Sequence, residues 1–301
     1  MSLFEAASGL ALRYVSRERF LAWRATYHSA RAKLHPLMRT VYGSFDAPAL
    51  RTHLESRVGG SFEILMVHSS VNHMKPMYTG TPLDLTRMLI DFCGPDRTLV
   101  MPAFCFDEAA FGGVDGTEAQ PVRFDLRRTP SRMGLVTELF RRTKGVVQSR
   151  HPVYRVAALG PLAEALTRGH EWADSSCGRG TPFDFMANHD TRIIGIGKPY
   201  EVLTQVHHAE DLLGDEFPVP ARRGKRRRVT LVDGKDEIAM ELPGGSLAWR
   251  RNMWRLRSIM DRDRLQEWTF HHVPLFSTRA ADVTAALVEA ARRGVTLYEK
   301  P

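Results

Sequence analysis

The sequence predicts an α/β fold, a central and mostly parallel sheet flanked by helices, with an extra N-terminal helical segment and a β-hairpin. Three observations carry that expectation. Short apolar runs end abruptly in polar or turn residues. Ile64-Leu-Met-Val67 stops at His68-Ser-Ser70, Thr98-Leu-Val-Met101 stops at Pro102, and Arg192-Ile-Ile-Gly-Ile-Gly197 is similar. Runs of this length without polar alternation suit strands buried on both faces. Residues 82–93, between the first two runs, carry helical spacing with Pro82 near the first turn. Strand, helix and strand joined by short turns imply a parallel pair. Arg228 to Leu242 reads as two strands around Asp233-Gly234, a hairpin turn.

Taken in order, residues 10–40 read as helix, because Leu10, Tyr14, Leu21, Leu34, Leu37 and Met38 recur at roughly helical spacing between basic residues. Phe45-Asp-Ala-Pro48 interrupts the pattern, and Asp46 or Ser44 caps a helix from about Ala49 to Arg57, closed by Gly59-Gly60. This suggests a division into an N-terminal helical extension, 1–46, and a main domain, 47–301. Residues 104–128 show no period and read as a long loop, which is uncommon unless functional. Thr129-Pro-Ser-Arg-Met-Gly134 then opens a helix from about Gly134 to Arg142, with Ser131 or Thr129 as cap. Short helices follow at Leu162–Leu166 and Leu203–Leu213, and a last one runs from about Ala280 to Arg293 before a strand at Val295–Tyr298.

Composition bounds the class. The chain has 301 residues, 43% hydrophobic, enough to bury a large core. No apolar run approaches the ~20 residues of a bilayer span. The N-terminus lacks a basic stretch followed by a long apolar one, so no signal peptide is expected. Cys93, Cys105 and Cys177 are far apart and odd in number, which gives neither a metal-ligand spacing nor a disulfide framework. A reduced, cytoplasmic protein follows as the expectation. The net charge of +8 is localised, with +5 over residues 1–60, +6 over 221–228, −4 over 61–220 and +1 over 229–301. Two basic appendages therefore sit on a near-neutral body. The run Arg222–Arg228 lacks interleaved aromatics, so it reads as a solvated charge run beside the hairpin and no nucleic acid is expected. The N-terminal helix packs on its own domain, lies on a membrane surface or forms a dimer arm.

Three stretches carry chemistry. Thr204, His207 and Glu210 are spaced three apart, so on a helix they share a face. A hydroxyl and a carboxylate beside an imidazole can orient it and hold it basic. Helices commonly carry such pairs on the surface, so this signal is weak by itself. Two ligands without a nearby Cys or Asp cluster do not make a zinc site. The Thr129–Gly134 turn can offer backbone N–H groups to a phosphate at a helix start, with Arg127 and Arg128 just upstream. An ordinary capped turn is the plainer reading, and neither a Walker loop nor Gly-x-Gly-x-x-Gly is present. His68-Ser69-Ser70 closes a strand, where hydroxyls can hold a ligand. A Ser69, His207 and Glu210 hydrolase triad lacks the Gly-x-Ser-x-Gly elbow.

Together these pieces resemble the aminoglycoside 3-N-acetyltransferase family. The segments are Val67-His-Ser-Ser70, Thr98-Leu-Val-Met-Pro102, Phe124-Asp125 with Thr129–Gly134, Ser149-Arg-His-Pro152 with Ala157-Ala-Leu-Gly160, and Gly178–Phe183 followed by Thr204-x-x-His207-x-Ala-Glu210. The resemblance covers about residues 50–300 and implies a divergent member with that family's own α/β acetyltransferase fold. It implies acetyl-CoA as co-substrate, no metal, and direct transfer to a primary amine of an amino sugar or aminoglycoside-like acceptor. His207 would be the general base, with Glu210 and Thr204 beside it. Ser69, Ser70, Thr129, Ser131, Met133 and Gly134 would hold the co-substrate. His68, Asp125, His170 and Asp211 would face the acceptor, and a homodimer is possible. The stretch Val71–Gly80 departs from the family's usual glycine steps, and His208 stands where an apolar residue is common. Those departures leave the acceptor open, and the basic balance favours an amino sugar over a polycation. The competing reading is a catalytically drifted binding protein that holds a polyanion or glycan through its basic segments.

Overall fold

The structure is a computed structural model that describes residues 34–105 and 122–300. Twelve strands are described: β1 Ile64–Ser69, β2 Thr98–Pro102, β3 Val122–Asp125, β4 Val147–Gln148, β5 Val156–Leu159, β6 Thr191–Ile196, β7 Ala221–Asp233, β8 Asp236–Leu247, β9 Arg250–Arg251, β10 Gln266–Phe270, β11 Val273–Arg279 and β12 Tyr298–Glu299. Seven form the central sheet in the order β10-β11-β6-β1-β2-β5-β4. β1 pairs in parallel with both β2 and β6, as the strand–helix–strand pattern requires. β11 and β5 are inserted antiparallel on either side. The outer strands β10 and β4 are antiparallel to those neighbours and so run with the centre.

Side-chain alternation on β1 sorts the two halves of the core. Leu65 and Val67 join the cluster under the helices Ala47–Val58 and Pro82–Cys93. Ile64 and Met66 join the opposite cluster, under Pro182–Ala187, Val206–Leu213 and Ala280–Arg292. The same alternation gives His68, buried at 6% exposure, to the side of the Val206–Leu213 helix, and gives Ser69 to the other side.

Several helices begin where their caps dictate. The Asp46 side chain accepts from the Ala49 amide, and Gly59, at φ 70°, ends that helix. Pro82–Cys93 opens with a reciprocal Thr81–Asp84 capping box and ends at Gly94. Phe45 is buried in the core and bridges to Tyr78, so the chain already joins the main body at that point. The helix expected over 10–40 is described as His35–Tyr42, and its earlier part lies outside the described residues.

Four expectations are corrected. The loop predicted over 104–128 contains β3, which pairs in parallel with β7, so its order comes from a partner about a hundred residues away. The hairpin is longer than predicted. The basic run Arg222–Arg228 lies within β7, and Arg226 reaches across to Glu241 at 3.5 Å. The helix at 134 starts at Leu135 with Gly134 as N-cap, and the Ser131 hydroxyl instead accepts from the Met133 amide at 3.0 Å. The final strand is Tyr298–Glu299, paired with β9.

Candidate active site

The helix Val206–Leu213 places Glu210 and Asp211 each about one turn after His207. Thr204 lies before its first residue, and its carbonyl accepts from the His207 amide at 3.2 Å. Thr204 therefore lies in the turn ahead of the helix, not on the helical face that its spacing suggested. Its hydroxyl is buried and makes no hydrogen bond within the described residues.

His207 is partly buried, with Nδ1 3.4 Å from Glu210 Oε2. Tyr154 packs edge-on against the imidazole, ring centres 5.4 Å apart. Arg251 also contacts the ring. Its Nη2 lies 3.2 Å from His207 Nδ1 and its Nη1 3.3 Å from His207 Nε2. The same Nη2 donates to both Glu210 oxygens, at 2.8 and 2.6 Å. Tyr298 completes the group, because its hydroxyl donates to Glu210 Oε1 at 3.0 Å and accepts from Arg251 Nε at 2.8 Å. Burial and the neighbouring Glu210 charge push the Tyr298 hydroxyl pKa well up, so it stays protonated. Sequence reading missed both Arg251 and Tyr298. They face each other across β9 and β12, two strands of two residues each, brought together only by the pairing of distant segments.

The helix also fixes the loop before it. His208 Nδ1 lies 2.6 Å from the Cys177 carbonyl, and Asp211 Oδ2 accepts from the Cys177 amide at 2.8 Å. A carbonyl only accepts, so His208 carries its proton on Nδ1. Burial raises the Asp211 pKa, against the Cys177 amide and Ser175 hydroxyl that lower it. His170 ties the same loop to β4 and β5. Its Nε2 lies 2.8 Å from the Ser176 carbonyl, and its Nδ1 lies 2.9 Å from Ser149 Oγ. His170 is 1% exposed, and both of its nitrogens are engaged in this tie. His151 stacks on it at 4.6 Å and accepts the Val153 and Tyr154 amides on Nδ1, which sets the turn that presents Tyr154 to His207.

Tyr154 links this group to the Thr129–Gly134 turn. Phe104 packs against Tyr154 at 5.2 Å, and its carbonyl accepts the Arg132 amide at 2.9 Å. Arg155, 0% exposed, donates to the carbonyls of Ala103, Leu126 and Thr129 at 2.8, 2.9 and 2.6 Å. It pins the end of β2, the turn after β3 and the turn at 129 to one point. Asp125 closes the turn after β3 by accepting the Arg127 and Arg128 amides at 3.0 and 2.9 Å.

Four backbone amides of the Thr129–Gly134 turn already have partners within the chain. The amides of Thr129, Arg132 and Met133 bond to Asp125 O, Phe104 O and Ser131 Oγ, and the Ser131 amide bonds to Glu138. The first intrahelical bond is from the Glu138 amide to the Gly134 carbonyl, so the amides of Leu135, Val136 and Thr137 form the open helix start. Gly134 has φ 107°, and a Cβ there would meet nothing within 4 Å, which leaves that start approachable. Ser69 and Ser70 lie at the end of β1, partly exposed, and the Ser70 amide bonds to Ile196. His68 is held neutral by burial, its pKa pushed down to about 4, and its Nε2 makes no hydrogen bond within the described residues.

A cavity of about 690 Å³ lies elsewhere, against β4, lined by Arg127, Arg141, Arg142 and Arg150 among others. Two of these arginines face carboxylates of the same groove or its rim, Arg127 with Asp233 and Arg150 with Asp233 and Asp236. None of its lining residues belongs to the His207 group.

The family model described as aminoglycoside 3-N-acetyltransferase matches residues 66–292. The chain belongs to this family. Aminoglycoside N(3)-acetyltransferase VII of Streptomyces paromomycinus is 31% identical over 68% of this chain and 70% of its own length. Enzyme VIII of Streptomyces fradiae is 30% identical over 66% of this chain and 67% of its own. Among solved structures, the aminoglycoside acetyltransferase AAC(3)-Xa superposes with a TM-score of 0.69 at 20% identity, covering 87% of this chain and 98% of that one. AAC-IIIb bound to CoASH gives 0.69 at 21% identity, covering 85% and 99%. As a member of this family the chain is a CoA-dependent N-acetyltransferase, with acetyl-CoA as co-substrate. Among the described residues, no helix is long and apolar enough to cross a membrane.

Proposed function

We propose that the chain transfers an acetyl group from acetyl-CoA to a primary amine of an amino sugar or aminoglycoside-like acceptor, with His207 as general base. The observation that carries this reading is the contact of one imidazole with both Glu210 and Tyr154. Glu210 beside Nδ1 favours the proton on that nitrogen, and Nε2 then acts as the base once the acceptor amine displaces Arg251 Nη1, which faces it at 3.3 Å. His207 takes a proton from the attacking amine, and Glu210 opposes the positive charge that the ring then carries. The co-substrate supplies a thioester whose C–S bond breaks as the C–N bond of the amide forms, and the proton held on His207 can leave with the thiol. The open helix start at Gly134, with Ser69 and Ser70, would hold the phosphates and pantetheine. Two buried polar atoms with no partner among the described residues, Thr204 Oγ1 and His68 Nε2, fit hydrogen bonds to a bound ligand. His68, Asp125, His170 and Asp211 are placed near the acceptor only by the family resemblance, and in this reading the last three act first as ties of loops.

The names of the relatives place their reaction on nitrogen 3 of aminoglycosides. That supports an amine on an amino-sugar ring as the acceptor here. The three cysteines are free, which suits a reducing, cytoplasmic compartment. A dimer through the N-terminal arm also belongs to this reading, and sedimentation of the full chain against one lacking residues 1–33 tests it.

The central experiment follows free thiol released from acetyl-CoA with a panel of amines. His207→Ala should lower kcat at least about 100-fold, as loss of a general base does. Turnover unchanged in that variant would mean the base lies elsewhere.

A further inference from the structure

We propose that Arg251 and Tyr298 are positioning residues for the transfer: Arg251 fixes the tautomer of His207, and Tyr298 fixes Arg251. This rests on the reading of His207 as base and concerns the same site. A guanidinium only donates, and a neutral imidazole has one N–H and one lone pair. Arg251 presents a nitrogen to each ring nitrogen, Nη1 at 3.3 Å from Nε2 and Nη2 at 3.2 Å from Nδ1. The ring can accept only one of them. Glu210 decides which, because its Oε2 lies 3.4 Å from Nδ1 and takes the proton there, while Nη2 donates to both Glu210 oxygens. The lone pair then stands on Nε2, facing Nη1. The tautomer that proton abstraction needs is thus set at both ring nitrogens before any amine arrives. The amine takes the Nε2 lone pair over from Nη1, while Nη2 and Nε keep their own partners.

A long side chain can set a neighbour only if it is itself held. Tyr298 stands directly opposite Arg251 in the pairing of β9 with β12. Its hydroxyl accepts from Arg251 Nε at 2.8 Å and donates to Glu210 Oε1 at 3.0 Å, and Arg251 Cζ lies 5.1 Å from the centre of its ring. Arg251, Glu210 and Tyr298 therefore form a closed triangle in which each side chain bonds the other two. The single hydroxyl proton goes to Glu210, which leaves the Tyr298 oxygen to accept. Phe217 packs edge-on against Tyr298 at 5.9 Å, and the Asn252 amide donates to the Leu297 carbonyl at 2.6 Å, so the strand pair beneath the triangle is itself anchored. A lysine at 251 would keep the charge without the planar fork that reaches both ring nitrogens. Tyr298 lies beyond residue 292, where the match to the family model ends, so membership of the family does not by itself assign this role.

The test joins nitrogen-15 NMR of the histidine rings, at about pH 8 where unperturbed imidazoles are neutral, to the kinetics of thiol release with the best amine of the panel. In the full-length wild type, the ring signal that His207→Ala removes should report one tautomer, with the proton on Nδ1. Arg251→Gln and Arg251→Lys should both turn it into a mixture of tautomers, and Tyr298→Phe should do so to a smaller extent. Tyr298→Phe should lower kcat about tenfold and leave KM for acetyl-CoA within about twofold. Adding Tyr298→Phe to Glu210→Gln should lower kcat by less than about twofold more, because the two residues act as one unit. Residues that served packing alone would give additive losses and an unchanged tautomer. Tyr298→Phe carries the test if Arg251→Gln does not fold. A wild-type ring protonated on Nε2, a tautomer unchanged in the Arg251 and Tyr298 variants, or additive losses of kcat each overturn the proposal. Failure of the underlying reading looks different: His207→Ala keeps its turnover, while the wild-type ring still shows the Nδ1–H tautomer that Arg251→Gln loses.

Discussion

Arg155 shows how one side chain can decide where a site lies. Its guanidinium replaces water at the carbonyls of Ala103, Leu126 and Thr129, which belong to three separate segments. Burial pushes its pKa down to about 10, so it is still charged at neutral pH. Arg155→Leu leaves three acceptors without their donor and should cost roughly 3 kcal/mol or more. In a chain of this size that corresponds to a fall in Tm of about 6 °C or more by calorimetry. A fall under about 2 °C would mean that water replaces the guanidinium freely. Nothing near Arg155 in the sequence signals this role, because its partners are 26 to 52 positions away. His207 and Glu210 are the contrary case. Their spacing of three is a local property of a helix, and it was legible.

Among the elements, the short helix Leu135–Arg141 tests whether the expected anion site is real. The Thr-Pro-Ser turn was legible as a helix start, but its hydroxyl was read as the cap. The structure moves the start one step on, to Gly134 at φ 107°. Gly134→Val puts a side chain into an unfavourable backbone region, at about 1–2 kcal/mol, and also covers the open helix start. If the co-substrate phosphates rest there, KM for acetyl-CoA should rise about tenfold while kcat changes less. A lower Tm with KM unchanged would show that the glycine serves the backbone alone. β9 and β12 give the opposite lesson. Neither two-residue strand has a pattern that a sequence window can detect, yet their pairing delivers Arg251 and Tyr298 to Glu210.

For the whole molecule, the buried histidines set a limit on acid stability. Burial holds His68 and His170 each near a pKa of about 4, below the ordinary 6.5, and holds His151 well below it. For His170 the Ser176 carbonyl works in the opposite direction and does not prevail. The folded state keeps these rings neutral while the unfolded chain takes up protons below pH 6.5. Stability is therefore complete above that pH and is lost as pH falls toward 4, on the order of 3 kcal/mol per histidine for the two near 4. Urea midpoints at pH 7.5, 5.5 and 4.5 should fall in that order, and His170→Asn should flatten the slope. A midpoint that does not move over this range would contradict the buried neutral state. At this scale the sequence by itself determined the fold class, the three parallel strands at its centre, most helix starts, the His207–Glu210 pair and the family. Each of these depends on residues close together in the chain, whose spacing or capping chemistry is written locally. The tertiary structure alone decided that β3 orders the long loop, that β5 and β11 enter the sheet antiparallel, and that Arg155 pins the Thr129 turn. It alone brought Arg251 and Tyr298 onto Glu210. Those outcomes rest on contacts between residues dozens to more than a hundred positions apart, where the packing of the whole core, and no local pattern, selects the partner.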